Sequence, residues 1–167
     1  MEEHSTVTDR LMTAPRTLEY IKKNDGCTFA IVGDINDRNI ENHSPTLEFV
    51  DFSEKHSAFS VAMFHGDDLR ISNYLTCDDD LLHMIIRTFT RWTKERSPHA
   101  YFGAWVDGDD LVLDAALVYT GFSAYDNAMH MAMNKQQDAI YNLIEYKEER
   151  VEDYEPPFRE KFGGGWA

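Results

Sequence analysis

The most regular alternation of hydrophobic and polar positions lies between residues 101 and 118. Tyr101–Val106 is rich in aromatic and β-favouring residues, Asp107-Gly108 is a strong two-residue turn signal, and Leu111–Val118 has the length of a strand. Because side chains alternate between the two faces of a strand, one face of the second segment carries an apolar row, Leu111, Leu113, Ala115 and Leu117. The pattern therefore predicts a β-hairpin.

Asp114 interrupts the opposite face of this hairpin. Its neighbours on that face are Val112, Ala116 and Val118, so an acid is unexpected there. An edge or half-exposed position with a local hydrogen bond would explain it, and so would a carboxylate that faces a ligand. Both interpretations stay open on the sequence.

The residues after Ser123 repeat at helical spacing. Ser123 is a favourable N-cap, and the pattern predicts a helix from Ala124 to roughly Glu148. Its apolar stripe consists of Tyr125, Ala128, Met129, Ala132, Ala139, Leu143 and Tyr146. Gln136 falls inside this stripe, and a buried amide without partners costs about 1–3 kcal/mol. We therefore predict that Gln136 hydrogen-bonds the backbone of the hairpin; a ligand site shared with Asp114 and Asn134 is the alternative.

The remaining segments predict two more helices and further strands. A helix at Asp79–Glu95 follows from its apolar face and from the acids at its start, where the helix dipole is positive. A shorter helix is expected at Arg16–Lys23. Strands are expected at Thr28–Val32, Ala58–Phe64 and Leu69–Ile71, with Thr46–Phe52 either a strand or irregular. The sum is an α+β fold, in which an antiparallel or mixed sheet of roughly four to six strands packs against the two longer helices.

The chain has the length of one domain. We expect residues 16–155 to form it, between a loose N-terminal segment at 1–15 and a flexible C-terminal tail at 156–167. No apolar run reaches the length of a membrane span, and the N-terminus lacks an apolar signal segment, so the chain is expected to be soluble and cytoplasmic.

The formal net charge is −14, because 30 acidic residues outnumber 16 lysines and arginines. Such a surface repels nucleic acid and anionic membranes and favours basic proteins, and it is also what imitation of DNA would require. A well-solvated acidic surface is the simpler interpretation. The candidate acidic binding surface consists of Asp78, Asp79, Asp80, Asp107, Asp109 and Asp110.

No motif for catalysis, for a metal or for a cofactor stands out. The histidines are dispersed, no glycine run forms a phosphate loop, and the acids of the hairpin lack the spacing of a calcium-binding loop. Cys27 and Cys77 form neither a metal-type pair nor a disulfide framework. The sequence predicts no catalytic residue, metal or cofactor, and it favours a protein that is not an enzyme.

The order of several short segments resembles a group of small uncharacterised proteins encoded by tailed phages of actinobacteria. The shared features are a Gly-Trp strand at Gly103-Ala104-Trp105, a Leu-Asp strand at Leu111–Asp114 and an Asn-Gln-x-Ala-Ile helix at Asn134–Leu143. The likeness spans roughly residues 16–151 and departs at Gly103, which that group usually doubles. The resemblance implies a phage origin and no particular activity.

Three functions follow as expectations. The first is an acidic phage accessory protein that binds and inhibits a host protein, such as a defence or nucleic-acid-binding protein, in the host cytoplasm. The second is a small-ligand or nucleotide-sequestering protein that uses Asp114, Asn134 and Gln136. The third is a small metal-dependent enzyme that acts on nucleotides through the acidic hairpin. Self-association of the chain is left open, while direct binding to nucleic acid or membranes is not expected.

Overall fold

The computed structural model describes residues 10–33, 46–63 and 68–156. These residues form an α+β structure with three α-helices and nine strands, and every strand pairing described below is antiparallel. The strands are β1 (Leu11–Met12), β2 (Gly26–Val32), β3 (Thr46–Glu48), β4 (Ala58–Ala62), β5 (Leu69–Ile71), β6 (Tyr101–Asp107), β7 (Asp110–Thr120), β8 (Ala139–Asn142) and β9 (Lys147–Arg150). The helices are α1 (Ala14–Asn24), α2 (Asp79–Arg96) and α3 (Ala124–Asn134).

The α+β class is confirmed, whereas the expected number of four to six strands is wrong. Strands of two or three residues, such as β1 and β5, are too short to show a period of two. The residues of β8 and the first half of β9 lie in the segment for which a long helix was expected. Most of the two expected terminal segments, residues 1–9 and 157–167, lies outside the described residues. Within the expected loose N-terminal segment at 1–15, Leu11–Met12 forms β1.

The chain divides into two compact units. The first lies within residues 1–51 and 66–117, and the second within residues 52–65 and 118–167. Each has its own hydrophobic core, so each is described by itself.

The first unit is built on the predicted hairpin. β6 and β7 pair from Tyr101↔Ala116 to Asp107↔Asp110, with β2 on the other side of β6 and β5 on β7. β3 pairs β2, and β1 pairs β3. The core of this unit joins one face of the strands to the apolar sides of α1 and α2, and its largest fully buried members are Leu18, Ile21, Phe29, Leu82, Ile86, Phe102, Leu111 and Leu113.

Helix α2 begins and ends close to the predicted residues. Asp78 is its N-cap, and the side chain of Asp78 accepts a hydrogen bond from the backbone N–H of Asp80 at 2.8 Å. Lys94 and Arg96 lie in its last turn, where the helix dipole favours cations. Local capping therefore sets both ends of this helix.

The second unit contains β4, β8, β9 and α3. β8 pairs β4 on one side and β9 on the other. Its core consists of Phe59, Val61, Ala124, Ala128, Met129, Ala132, Ile140 and Tyr154.

Helix α3 ends at Asn134, so the predicted continuation to Glu148 is wrong. Gln136 adopts a left-handed conformation with φ of 58°. The N–H of Gln137 donates to the carbonyl of Ala132 at 2.8 Å, and the N–H of Gln136 donates to Met133 at 3.2 Å. This is the Schellman arrangement that closes a helix. Gln136 is exposed, so the prediction of a buried amide is also wrong.

Candidate functional site: the acidic end of the first unit

The turn between β6 and β7 gathers acidic side chains around one arginine. Asp107 and Asp110 are opposite each other in the hairpin register. Arg70, which lies on β5, places its Nη1 3.0 Å from Asp107 Oδ2 and 3.1 Å from Asp110 Oδ2. These ion pairs are largely open to solvent, and solvent screening leaves exposed pairs with little effect on stability. They orient the turn more than they stabilise it.

A 3-10 turn at Tyr74–Thr76 connects this hairpin turn to the start of α2. The N–H of Tyr74 donates to the backbone carbonyl of Asp109 at 3.1 Å, and the N–H of Asn73 donates to Asp110 Oδ1 at 3.3 Å. The ring of Tyr74 is buried in the core of the first unit. Since Asp78 follows four residues after Tyr74, the contact brings the second group of acids next to the first.

The acids at the start of α2 are mostly accessible. Asp79 Oδ1 pairs with Lys22 Nζ of α1 at 3.0 Å. The side chain of Asp80 is fully exposed, and its described ion pair is the 3.9 Å contact to His83. Carboxylates here are favourable to the helix because its first turn carries a partial positive charge.

Asp25 belongs to the same end of the unit. Its carbonyl accepts a hydrogen bond from the N–H of Val106 at 3.0 Å. Burial raises the pKa of the Tyr74 hydroxyl, and the negative charge of Asp25 raises it further. We define the acidic end as Asp25, Asp78, Asp79, Asp80, Asp107, Asp109 and Asp110, with Lys22 and Arg70 as the cations paired with it.

Two large apolar side chains are exposed within the acidic end. Leu75, in the 3-10 turn, is 64% exposed, and Leu81, in the first turn of α2, is 45% exposed. Both are close in sequence to Asp78, Asp79 and Asp80. Apolar side chains rimmed by charge are typical of contact surfaces more than of inert ones. The structure therefore brings all six predicted acidic surface residues to one end of the unit, where two large apolar side chains are also exposed.

Asp114 lies elsewhere in the first unit, in the middle of β7. It is only 3% exposed, so the half-exposed position considered for it is not found. Its Oδ1 has no hydrogen-bond partner. Burial raises the pKa of this carboxyl to about 7, the negative charge of Asp68 adds to the shift, and a hydrogen bond from the backbone of Ala115 opposes it.

Asn134 and Gln136, the other residues of the expected ligand site, belong to the second unit. Asn134 is the last residue of α3, Gln136 closes the helix, and both side chains are exposed. Their share in a ligand site with Asp114 stays a prediction.

Sequence reasoning missed a polar cluster on α3. The hydroxyl of Tyr154 donates to Asp126 Oδ1 at 2.8 Å and lies 3.5 Å from His130 Nε2. Burial, together with the Asp126 carboxylate, raises the pKa of Tyr154 to about 12, so this phenol keeps its proton at neutral pH. The spacing of four residues between Asp126 and His130 was the available signal, because it places both side chains on one side of a helix.

Other chemical groups give no centre within the described part of the chain. Among those residues, no group of three or more His, Cys, Asp or Glu side chains is arranged to hold a metal ion. Burial raises the pKa of the Cys27 thiol, which disfavours the thiolate that a nucleophile requires. Of the described helices, none is both long and apolar enough to cross a membrane.

Comparison with known protein families, with curated proteins and with solved structures finds no match to this chain.

Proposed function

We propose that this protein is a non-enzymatic binding protein whose acidic end docks onto a basic surface of another protein. The observation that carries the proposal is the convergence of two groups of aspartates, about thirty residues apart in the chain, around the exposed Leu75 and Leu81. Lys22 and Arg70 pair with only some of these carboxylates, so the end keeps an excess of negative charge.

The two kinds of side chain would contribute in different ways. An excess of carboxylates steers a basic partner during the encounter and raises the association rate, an effect that salt screens. The two leucines would then lose their contact with water and hold the complex, as buried apolar anchors do in most interfaces. Charge alone would give weak, unselective binding.

The resemblance to phage proteins extends this proposal to the partner. A host protein with a basic nucleic-acid-binding surface matches the acidic end in charge, and occupation of that surface would inhibit it in the way that a DNA mimic does. Inhibition of such a host protein, in the host cytoplasm, is the function that we propose.

A pull-down from a lysate of an actinobacterial host tests the proposal. Three forms of the protein are compared: the wild type, an acidic-end variant with Leu75→Ser, Asp80→Asn and Asp109→Asn, and a control variant with Glu54→Gln and Glu155→Gln. Asp80, Asp109 and both control glutamates are exposed, and the changes spare the cap residue Asp78 and the ion pairs of Arg70.

We expect a basic protein to be retained by the wild type and by the control variant, and to be lost from the acidic-end variant. Retention should also fall steeply as salt is raised. If the same partners bind all three forms, or if no form retains a partner at any salt concentration, the proposed role of the acidic end is wrong.

A further inference from the structure

The outer side of helix α2 exposes two large apolar side chains. Leu82, Ile86 and Phe89 face the core of the first unit, whereas Leu81 and Met84 are 45% and 52% exposed. The solvent side of an amphipathic helix normally carries polar residues. Two large apolar residues one turn apart on that side are typical of a contact surface.

The charges on this side of α2 follow an order along the helix. At about 3.6 residues per turn, one stripe contains several exposed residues. We define the outer stripe of α2 as Asp80, Leu81, Met84, Arg87, Thr88 and Arg91. The stripe is therefore negative at its start, apolar in its middle and positive towards its end.

Asp80 and Arg87 are the charges of this stripe that the chain itself uses least. Arg91 pairs with Glu95 at 3.4 Å, whereas Arg87 has no ion-pair partner among the described residues. Asp80 is fully exposed, and its described ion pair is the 3.9 Å contact to His83. Since Asp80 and Arg87 are about 10 Å apart along the helix axis, each is available to another molecule.

A second copy of the same helix, running antiparallel, matches this order. In a twofold pair centred on Met84, each Met84 meets its counterpart. Along the axis, Asp80 lies about 6 Å before this centre and Arg87 about 4.5 Å after it, so Asp80 of one copy comes level with Arg87 of the other. Both side chains lie on the same flank of the stripe. Leu81 and Thr88 lie on the opposite flank and meet across the pair in the same way.

We propose that two copies of this chain associate through the outer stripe of α2 in an antiparallel pair with twofold symmetry. Leu81 and Met84 lose their contact with water at its centre, and the contacts between Asp80 and Arg87 set its direction, because a parallel pair would bring like charges level with each other. A single pair of helices is a small interface, of the weak class that buries less than about 1,200 Å².

The dimer does not depend on the proposed binding of a protein partner, although it shares Asp80 and Leu81 with the acidic end. A chain in the dimer cannot present these two residues to a partner, so self-association at high concentration would compete with partner binding. Met84 and Arg87 belong to the outer stripe alone. Changes at these two residues therefore test the dimer separately from the acidic end.

The test uses two variants of the full chain, Met84→Glu and Met84→Arg, followed by sedimentation equilibrium. Met84 is exposed within a helix, and Glu and Arg both favour helices, so both variants should fold, as circular dichroism will check. Concentrations from about 10 μM to about 1 mM cover weak association. At about 0.15 M salt, repulsion between copies that each carry a net charge of −14 is screened beyond about 8 Å.

We expect the wild type to pass from monomer to dimer across this range. Each variant alone should dimerise about tenfold more weakly or worse, because like charges meet at the twofold centre, and an equimolar mixture of the two should dimerise, because opposite charges then meet there. Lys23→Glu, a charge reversal at an exposed residue of α1, is the control and should dimerise like the wild type.

Asp80→Arg and Arg87→Glu test the direction of the pair by the same logic. Each variant alone brings like charges level across the pair, while their mixture restores two contacts between opposite charges. The fold of Asp80→Arg is checked first, because the dipole at the start of a helix disfavours a cation. If that variant does not fold, the two Met84 variants still decide whether the dimer forms.

A wild type that stays monomeric at the highest concentration would overturn the proposal. So would a mixture of the two Met84 variants that associates no better than either variant alone. Equal dimerisation of the wild type and both Met84 variants would show that the chain associates through another surface. If the mixture of Met84 variants dimerises but that of Asp80→Arg with Arg87→Glu does not, the antiparallel arrangement is wrong.

Discussion

Two buried polar residues, one in each unit, differ in whether their side-chain Oδ1 atom accepts a hydrogen bond from the backbone. Asn142 ends β8 and is 8% exposed, while Asp114 is in the middle of β7 and is 3% exposed. The Oδ1 of Asn142 accepts hydrogen bonds from the N–H groups of Ile144 and Glu145, at 3.0 and 2.9 Å. The Oδ1 of Asp114 accepts none.

The difference separates a structural polar group from a candidate functional one. Asn142 closes the turn between β8 and β9, so its burial is accounted for by two backbone donors. In Asp114 the unpaired oxygen gives the fold nothing, and an apolar residue of similar size would fit a buried strand position better. A buried carboxyl with a strongly shifted pKa and one oxygen without a hydrogen-bond partner is the kind of group that marks functional sites.

The largest expected effect is that of Asp114→Asn on the pH dependence of stability. The pKa of this carboxyl is raised from 3.8 in the unfolded chain to about 7 in the folded one. The folded protein therefore binds a proton more tightly, and its stability falls as pH rises from about 4 to about 7. A shift of this size corresponds to about 4 kcal/mol. Asn, which cannot ionise, removes that loss.

Urea unfolding at pH 5 and at pH 8 measures this effect. Because pH 5 lies above the unfolded pKa, the wild type has already lost about 1.5 kcal/mol there, so the variant should be more stable by about that amount at pH 5 and by about 4 kcal/mol at pH 8. Asp109→Asn, in the exposed turn of the same hairpin, is the control and should change little at either pH. An unchanged difference between variant and wild type at the two pH values would show that Asp114 is ionised and satisfied, and the comparison with Asn142 would collapse.

The second effect is smaller and opposite in sign. Asn142→Ala leaves two backbone N–H groups in the β8–β9 turn without their acceptor, and we expect a loss of about 2 kcal/mol that does not depend on pH. Asn142→Asp keeps an oxygen in the same position and should restore most of the stability. Denaturation monitored by circular dichroism gives both values. If Asp is as destabilising as Ala, the hydrogen bonds are not what Asn142 contributes.

The elements that the sequence predicts correctly are those encoded by interactions between residues close together in the chain. The β6–β7 hairpin and helix α2 follow from a period of two, a Gly-containing turn and the N-cap Asp78, all of which act between near neighbours in the chain. The face on which Asp114 lies follows from the same alternation. Its burial does not, because residues distant in sequence decide what covers a strand face.

The failures also have physical causes. Helical spacing of apolar residues continues past Asn134, and Gln136 enters the left-handed conformation without the glycine that usually signals such an end. The convergence of the acidic end rests on the contact between Tyr74 and Asp109, which no periodicity encodes. The candidate residues were therefore visible in the sequence one by one, but their grouping was not.

The smallest expected change in stability is that of removing the Tyr154 hydroxyl, which has a hydrogen-bond partner and lies close to water. Tyr154→Phe removes the hydroxyl that donates to the half-buried Asp126 at 2.8 Å, and we expect a loss of about 1 kcal/mol, since water can replace the donor. Above pH 10 the wild type should lose stability as the unfolded tyrosine ionises, because the folded pKa is raised to about 12, and the variant should lack this term. A double-mutant cycle with Asp126→Ala isolates the pair. If the two changes show no coupling, Tyr154 contributes through the packing of its ring against Tyr125 and not through its hydrogen bond. The contrast between a partnered polar group in the second unit and the unpaired oxygen of Asp114 would then fail for Tyr154.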